Sequence, residues 1–162
     1  MKKNIFYLII LLFFTFIFTI FYIGLDKPNF YTPKEIKNKS LEEFTSTELF
    51  SNEQFSSNNI IENNKFTLIN IWSSWCVPCR LEHSVLMDLS EKTDLNIVGL
   101  NYKDKKNNAI KFLNELGNPF SKILTDPDGI VSISLGAYGV PETFLLNNKS
   151  KIIRKYIGPL TK

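Results

Sequence analysis

Cysteine and histidine are scarce in this sequence: Cys76, Cys79 and His83 are the only such residues among 162. A framework of structural disulfides needs more cysteines at wider spacing, and a loop as short as this one restricts the unfolded chain very little. A structural zinc site needs four ligands, so zinc or copper binding is the weaker alternative. The scarcity favours chemistry between the two thiols, with no metal or other cofactor.

The sequence also has little excess charge of either sign. The formal net charge is +3; Lys2 and Lys3 supply two of these charges, and the other 17 Lys and Arg nearly balance the 16 Asp and Glu. A nucleic-acid surface needs a clear positive excess. The composition therefore predicts no nucleic-acid partner.

The N-terminal segment from Ile5 to Leu25 contains no charged residue. As a helix it would be about 31 Å long, close to the thickness of the hydrocarbon layer of a membrane. Lys2 and Lys3 precede it, so residues 1–4 are expected to stay in the cytoplasm and the rest of the chain to be exported. A cleaved signal peptide is the alternative, but residues 21–26 lack the small-residue pattern of a cleavage site. We predict an uncleaved transmembrane anchor over residues 5–25.

The exported part is long enough for one domain with its own core and too short for two. Residues 26–40 contain prolines and lysines with little periodicity and are interpreted as a linker, followed by a domain over residues 41–162. The patterning predicts alternating strands and helices followed by an antiparallel pair, the outline of a thioredoxin-like α/β fold with a central mixed sheet flanked by helices. The predicted elements are strands at 65–72 and 96–102, helices at 76–92, 108–116 and 130–135, hairpin strands at 142–146 and 151–157, and a short extended piece near 44 with a weak helix near 53–59.

Trp75-Cys76-Val77-Pro78-Cys79 lies between a buried strand and an amphipathic helix. The unpaired N–H groups and partial positive charge of a helix N-terminus favour the thiolate, which is the reactive form of cysteine. Cys76 at that end can attack and be attacked, whereas Cys79, one turn later, is shielded and can resolve a mixed disulfide. Pro78 suits the first helical turn because its missing N–H has no partner to lose there.

Glu82 falls within the apolar arc of this helix, one turn after Cys79. Burial should raise the pKa of its carboxyl, and such a group beside a thiol can accept and return a proton. The alternative is a Glu that reaches the protein surface and pairs with a basic side chain. His83, near the edge of the same arc, is interpreted as a structural histidine. The helix thus offers Glu82 as a candidate catalytic residue.

Val140-Pro141-Glu142 precedes the predicted hairpin strands. In a thioredoxin-like fold this loop faces the cysteine pair, and a cis peptide bond before Pro141 would leave backbone groups free to pair with an extended substrate. A trans proline at a strand start is the alternative. We predict substrate contacts from Trp75, Val140 and Pro141, and a second catalytic carboxyl, Glu142, near the cysteines.

Four segments together resemble the cytochrome c biogenesis thiol–disulfide interchange proteins of the DsbE/CcmG type, over about residues 41–160. The cysteine motif alone indicates only a thioredoxin relative, and the other three segments are much more specific. The segments are Trp75-Cys76-Val77-Pro78-Cys79-Arg80-Leu81-Glu82-His83, Gly99-Leu100-Asn101-Tyr102-Lys103-Asp104, Glu115-Leu116-Gly117-Asn118-Pro119-Phe120 and Gly136-Ala137-Tyr138-Gly139-Val140-Pro141-Glu142-Thr143-Phe144.

The resemblance implies a periplasmic reductant held in the inner membrane by one N-terminal helix. Its partners would be the thiols of apocytochrome c or of a haem-ligation protein, and an integral membrane protein would re-reduce it. A broader periplasmic reductant and a binding module that holds apocytochrome without turnover are the alternatives. By the same resemblance, Cys76 and Cys79 form the redox-active disulfide, Glu82 and Glu142 match acidic residues near the active site, and Pro141 matches a cis-proline.

Two features of the sequence differ from those of related proteins. Asn70 stands where ordinary thioredoxins carry a buried aspartate, which favours this subfamily. Family members also continue past the last strand into a C-terminal helix that packs on the sheet, whereas this sequence stops at Lys162. Either the helix is dispensed with or the chain is truncated. We therefore expect one face of the sheet near Ile152 and Tyr156 to be incompletely covered.

Overall fold

The structure is a computed structural model, and it describes residues 2–25, 39–61 and 66–161. The chain divides into two compact units, Met1–Lys34 and Glu35–Lys162, and each is described by itself. Most of the predicted linker, and the first residue of the strand predicted at 65–72, lie outside the described residues.

The described residues of the N-terminal unit form the helix α1 (Lys2–Leu25). Residues Lys3–Gly24 are long and apolar enough to cross a membrane, a test that signal sequences near an N-terminus also pass. Most of the large apolar side chains between Ile5 and Ile23 are exposed. The helix predicted from the uncharged run is therefore present.

The second unit is built on a mixed sheet, which has seven strands within the described residues, in the order β2-β1-β5-β4-β3-β6-β7. The pairs β3–β4 and β4–β5 are parallel, and the pairs β1–β2, β1–β5, β3–β6 and β6–β7 are antiparallel. The strands are β1 (Thr45–Glu48), β2 (Gln54–Ser56), β3 (Phe66–Trp72), β4 (Asn96–Tyr102), β5 (Lys122–Asp126), β6 (Glu142–Asn147) and β7 (Ile152–Ile157). The helices are α2 (Val77–Lys92), α3 (Lys106–Leu116) and α4 (Ile130–Ser134).

The central strand β3 separates two apolar cores. Its side chains alternate between the two faces, so Leu68 and Trp72 enter one core while Ile69 and Ile71 enter the other. The first core also takes side chains from α2 and α3: Leu86, Ala109, Phe112 and Leu113. The continuous apolar sequence of β3 is thus that of a strand covered on both faces, as predicted.

The sheet differs from the predicted elements in two places. The strand β5 was not predicted, although it pairs with β4 and completes a second parallel crossover. The weak helix predicted near 53–59 was wrong: Gln54–Ser56 forms strand β2, and only Ser57–Asn59 makes a single 3-10 turn. Pairing of β2 with β1 in a hairpin outweighs the weak local preference there.

A groove of about 700 Å³ lies on the sheet beside α2. Apolar side chains of α2, β3, β6 and β7 line it, among them Val85, Leu89, Leu145 and Tyr156. The expected gap in coverage is therefore found at Tyr156, but not at Ile152, which is buried in the second core.

Candidate functional site

The two cysteines form a disulfide where β3 passes into α2. Residues 73–75 make the turn, and Cys76 is the N-cap of the helix in an extended conformation. Its Sγ accepts a hydrogen bond from the backbone N–H of Cys79 at 3.1 Å. The geometry therefore holds the Cys76 sulfur at the positive end of the helix, where a thiolate is stabilised after reduction.

Both cysteines are buried in this oxidised form, Cys76 with 4% of its surface exposed and Cys79 with 2%. The expected shielding of Cys79 is found, but Cys76 is less open than its position at the helix end suggested. The apolar side chains next to it are on the surface instead: Trp75 is 57% exposed, and Val77 and Leu81 are exposed as well. An apolar surface thus surrounds a nearly covered disulfide.

Glu82 is buried on the α2 side of the sheet, with 1% of its surface exposed. Its Oε1 accepts a hydrogen bond from Asn70 Nδ2 at 2.9 Å, and its Oε2 accepts one from the backbone N–H of Leu160 at 2.8 Å. Burial raises the pKa of the Glu82 carboxyl, while these two bonds stabilise the charged form and oppose the rise. The predicted burial and direction of the pKa shift are confirmed, and the role as proton carrier remains a prediction.

Asn70 and Thr143 complete the surroundings of this carboxyl. Asn70 Nδ2 also donates to Thr143 Oγ1 at 2.9 Å, because the two residues are directly opposed in the β3–β6 pair. Asn70 Oδ1 is buried without a hydrogen-bond partner among the described residues. The sequence marked Asn70 only as a departure from thioredoxins; in the structure its amide holds Glu82.

Glu142 is buried too, but on the other face of the sheet. It is opposed to Ile71 in the β3–β6 pair, and Ile71 and Phe144 belong to the second core, whereas Asn70 and Thr143 point toward Glu82. The two carboxyls predicted to act beside the cysteines are therefore not brought together.

The carboxyl of Glu142 holds the loop that precedes β6. Its Oε1 accepts hydrogen bonds from the backbone N–H groups of Tyr138 at 2.8 Å and Gly139 at 3.1 Å. Its Oε2 lies 2.7 Å from Lys155 Nζ, an ion pair without the alignment of a hydrogen bond. Lys155 also donates to the carbonyl of Gly136 at 2.7 Å. Lys155 was not predicted as a site residue, because only the pairing of β6 with β7 brings it here.

The peptide bond between Val140 and Pro141 is cis, as the resemblance implies. The β3–β6 pair ends at Ile71 and Glu142, so this peptide lies at the sheet end from which the cysteine turn departs. Val140 is half-buried and packs against the first core, to which both cysteines belong. The structure thus packs Val140 on the core that contains the disulfide, and Pro141 is buried at the same end of the sheet. The substrate contacts of these two residues and of Trp75 remain a prediction.

His83 has a structural environment. It is buried, its Nε2 lies 3.0 Å from the carbonyl oxygen of Gly117, and its ring meets that of Phe112 edge to face. Burial lowers the pKa of the His83 imidazole, the Gly117 carbonyl opposes this, and the charge of Arg80 adds to it. A neutral histidine that links α2 to the end of α3 is consistent with the structural interpretation.

A mixed sheet, a Cys-x-x-Cys disulfide at a helix N-terminus and a cis-proline before an antiparallel strand together define a thioredoxin-like protein. Residues 36–162 match the Redoxin family, and the chain belongs to that family.

Two relatives within this family are thiol:disulfide interchange proteins. The chain is 34% identical over 160 residues to the thiol:disulfide interchange protein DsbE-2 of Pasteurella multocida (strain Pm70), a match that covers 99% of this chain and 84% of that protein. It is 50% identical over 97 residues to the thiol:disulfide interchange protein CycY of Rhizobium leguminosarum bv. viciae, covering 60% of this chain and 52% of CycY. In that match the chain spans about half the length of its relative. The resemblance to interchange proteins of the DsbE type is confirmed.

A solved structure shares the fold. The chain superposes on a DsbF homologue from Corynebacterium diphtheriae with a TM-score of 0.67 and 25% sequence identity, covering 83% of this chain and 89% of the homologue. The predicted thioredoxin-like fold is therefore confirmed.

Proposed function

We propose that this protein is a membrane-anchored thiol–disulfide oxidoreductase that reduces disulfides of apocytochrome c, or of a haem-ligation partner, during cytochrome c maturation. The observation that carries the proposal is the Cys76–Cys79 disulfide, with the Cys76 sulfur hydrogen-bonded at the N-terminus of α2. The names of the relatives support thiol–disulfide interchange. The motif resemblance supports the more specific substrate.

The reaction is a two-step exchange that starts from the dithiol form. The Cys76 thiolate attacks one sulfur of the substrate disulfide, which forms a mixed disulfide and releases the first substrate sulfur as a thiolate. The Cys79 thiol loses its proton and attacks Cys76 Sγ, which restores the Cys76–Cys79 disulfide and releases the second substrate sulfur. Two electrons pass from the cysteine pair to the substrate, whose thiolates are protonated.

Glu82 is the group that we assign to the Cys79 proton. Its carboxyl is buried one helical turn after Cys79, and burial raises its pKa toward the range in which a thiol can exchange a proton. Glu142 acts differently in this proposal, because it lies on the other face of the sheet and binds the loop before Pro141. Its part is to hold that loop beside the disulfide.

The apolar surface around the disulfide is the proposed substrate site. Trp75 is exposed at the cysteine turn, while Val140 is half-buried and Pro141 is buried just before β6. An extended segment that carries a disulfide can pair with backbone groups there while its apolar side chains cover Trp75.

The proposed location is the inner membrane, with the active domain in the periplasm. Residues 5–25 would span the bilayer, residues 1–4 would remain in the cytoplasm, and residues 26–40 would link the anchor to the domain over 41–162. The length and composition of α1 support this arrangement. An integral membrane electron donor would return the Cys76–Cys79 disulfide to the dithiol after each turnover.

The test uses the full-length protein, purified in detergent, reduced, and freed of reductant. We would mix it with an oxidised Cys-x-x-Cys-His peptide or with insulin and follow thiol formation by mass spectrometry, with a Cys76→Ser/Cys79→Ser variant as control. Rapid reduction of the peptide with little reaction of insulin is the expected result. Equal reduction of both substrates would indicate a broad reductant, and binding of the peptide without reduction would indicate a holding module; either result overturns the proposal.

A further inference from the structure

The loop after β4 contacts the turn that carries the cysteines. The carboxylate of Asp104 accepts hydrogen bonds from the backbone N–H of Ser74 at 2.6 Å and from Ser74 Oγ at 2.8 Å. Ser74 is two residues before Cys76. One side chain, 30 positions away in the sequence, thus holds both the backbone and the hydroxyl of the active-site turn.

Two further donors fill the remaining positions of this carboxylate. Asn101 Nδ2 donates at 3.1 Å, and the backbone N–H of Lys105 donates at 2.8 Å. A carboxylate only accepts hydrogen bonds and has room for about four. An amide in its place would turn its NH2 group either toward the backbone N–H of Lys105 or toward the N–H groups of Ser74 and Asn101. The environment is therefore matched to aspartate and not to asparagine.

A second contact joins the same two segments. Trp75 Nε1 donates to the carbonyl of Lys103 at 3.0 Å, and the backbone N–H of Lys103 donates to the carbonyl of Asp126 at 2.9 Å, at the end of β5. The cysteine turn is thus tied through the loop to a strand of the sheet.

We propose that Asp104 is a positioning residue, which fixes the Ser74–Trp75 turn so that Cys76 stands at the end of α2 in the geometry required for the disulfide. Asp104 touches neither sulfur and acts through Ser74. The inference rests on the proposed function only in assuming that the cysteine pair cycles between disulfide and dithiol.

Loss of this contact has a predictable direction. A looser turn lowers the effective concentration of one cysteine at the other, which disfavours the disulfide. Asp104 is bound to Ser74, two residues before Cys76, so removal of its negative charge favours the Cys76 thiolate and stabilises the reduced form. Both effects shift the equilibrium toward the dithiol.

The experiment measures the equilibrium constant of the full-length protein with glutathione and the thermal stability of both redox forms. The variants are Asp104→Asn, Ser74→Ala, the double variant, and Ser74→Thr, which keeps the hydroxyl. Asp94→Asn is the matched control, because it removes the same charge at an exposed position. Asp94 follows the C-terminus of the 16-residue helix α2, about 24 Å along its axis from the disulfide.

Asp104→Asn is expected to shift the glutathione equilibrium toward the dithiol by about tenfold, since it removes hydrogen bonds to a charged acceptor. Ser74→Ala should shift the equilibrium by less. The double variant should change its free energy by less than the sum of the two single changes, because both remove the same contact. Ser74→Thr and Asp94→Asn should leave the equilibrium almost unchanged. A purely structural aspartate would lower the stability of both redox forms equally and leave the equilibrium at the wild-type value, which would overturn the proposal.

Failure of this inference differs from failure of the proposed function. If the wild type reduces the Cys-x-x-Cys-His peptide while Asp104→Asn keeps the wild-type equilibrium, only the positioning role is lost. If the wild type fails to reduce the peptide but Asp104→Asn shifts the glutathione equilibrium, the positioning role of Asp104 is supported and the proposed substrate is wrong.

Discussion

The carboxyl of Glu82 accepts a hydrogen bond from the backbone N–H of Leu160, although the two residues are 78 positions apart. The contact joins the first half of α2 to the segment that follows β7. Because the other carboxyl oxygen is bound by Asn70, neither oxygen of this buried group is left without a donor. A carboxyl can therefore remain inside the first core beside the cysteines, with its pKa raised by burial.

Replacing Glu82 with Gln should slow disulfide reduction and change its dependence on pH, because the amide keeps the shape but cannot carry a proton. The measurement is the rate of peptide reduction against pH for the wild type and Glu82→Gln, with Glu91→Gln at an exposed position of α2 as control. Superimposable curves for the wild type and Glu82→Gln would show that Glu82 has no part in proton transfer.

The same carboxyl should make the stability of the oxidised protein depend on pH. Its pKa is higher in the folded protein than the ordinary value of 4.5, so the folded state binds more protons than the unfolded state between these two values. The free energy of unfolding of the wild type should therefore fall, relative to Glu82→Gln, as the pH rises from 4.5 through the raised pKa. Urea unfolding at several pH values tests this, and a difference that grows in the opposite direction would contradict the raised pKa.

Replacing Lys155 with Met should destabilise the domain by about 3 kcal/mol, since it leaves the buried carboxylate of Glu142 without its cation. The additional change Glu142→Gln should recover part of this loss, because it removes the unpaired charge. The free energy of unfolding in urea is the measurement, with Lys151→Met at an exposed position as control. A Lys155→Met variant as stable as the control would show that the ion pair does not hold the loop before Pro141.

Protease added to intact spheroplasts should digest the domain and spare the anchor, because the chain is proposed to cross the inner membrane once with its C-terminus outside. Immunoblotting against tags at both ends would follow the two parts. Full-length protein that survives, or a soluble form released into the periplasm, would contradict the anchored arrangement.

Local patterns in the sequence were sufficient for the elements that carry the cysteines. The continuous apolar run of β3 and the period of α2 predicted both elements within a residue or two of their ends. The strand β5 was not predicted because it is only five residues long, and its hydrophobic pattern is no stronger than that of the loops around it. Local sequence patterns therefore predicted the elements at the centre of the site but not every strand of the sheet.

Contacts between distant segments could not be predicted in this way. Glu82 with Leu160 and Asp104 with Ser74 each join side chains to backbone N–H groups that only the folded sheet brings near. The face on which Glu142 lies follows from the register of β6 on β3, and a shift of one residue would have reversed it. The sequence could place Glu82 on the buried side of α2, but it could not place Glu142 or assign a partner to Asp104.

The central claim is that Cys76 attacks the substrate and Cys79 resolves the mixed disulfide. In the most direct measurement, the Cys79→Ser and Cys76→Ser variants are expressed in parallel and their disulfide-linked complexes are isolated under non-reducing conditions. Mass spectrometry then identifies the linked cysteine. Cys79→Ser should accumulate a complex with an apocytochrome c or a haem-ligation protein through Cys76, because the resolving thiol is gone, and Cys76→Ser should accumulate none. Equal trapping by both variants, or by neither, would contradict the account.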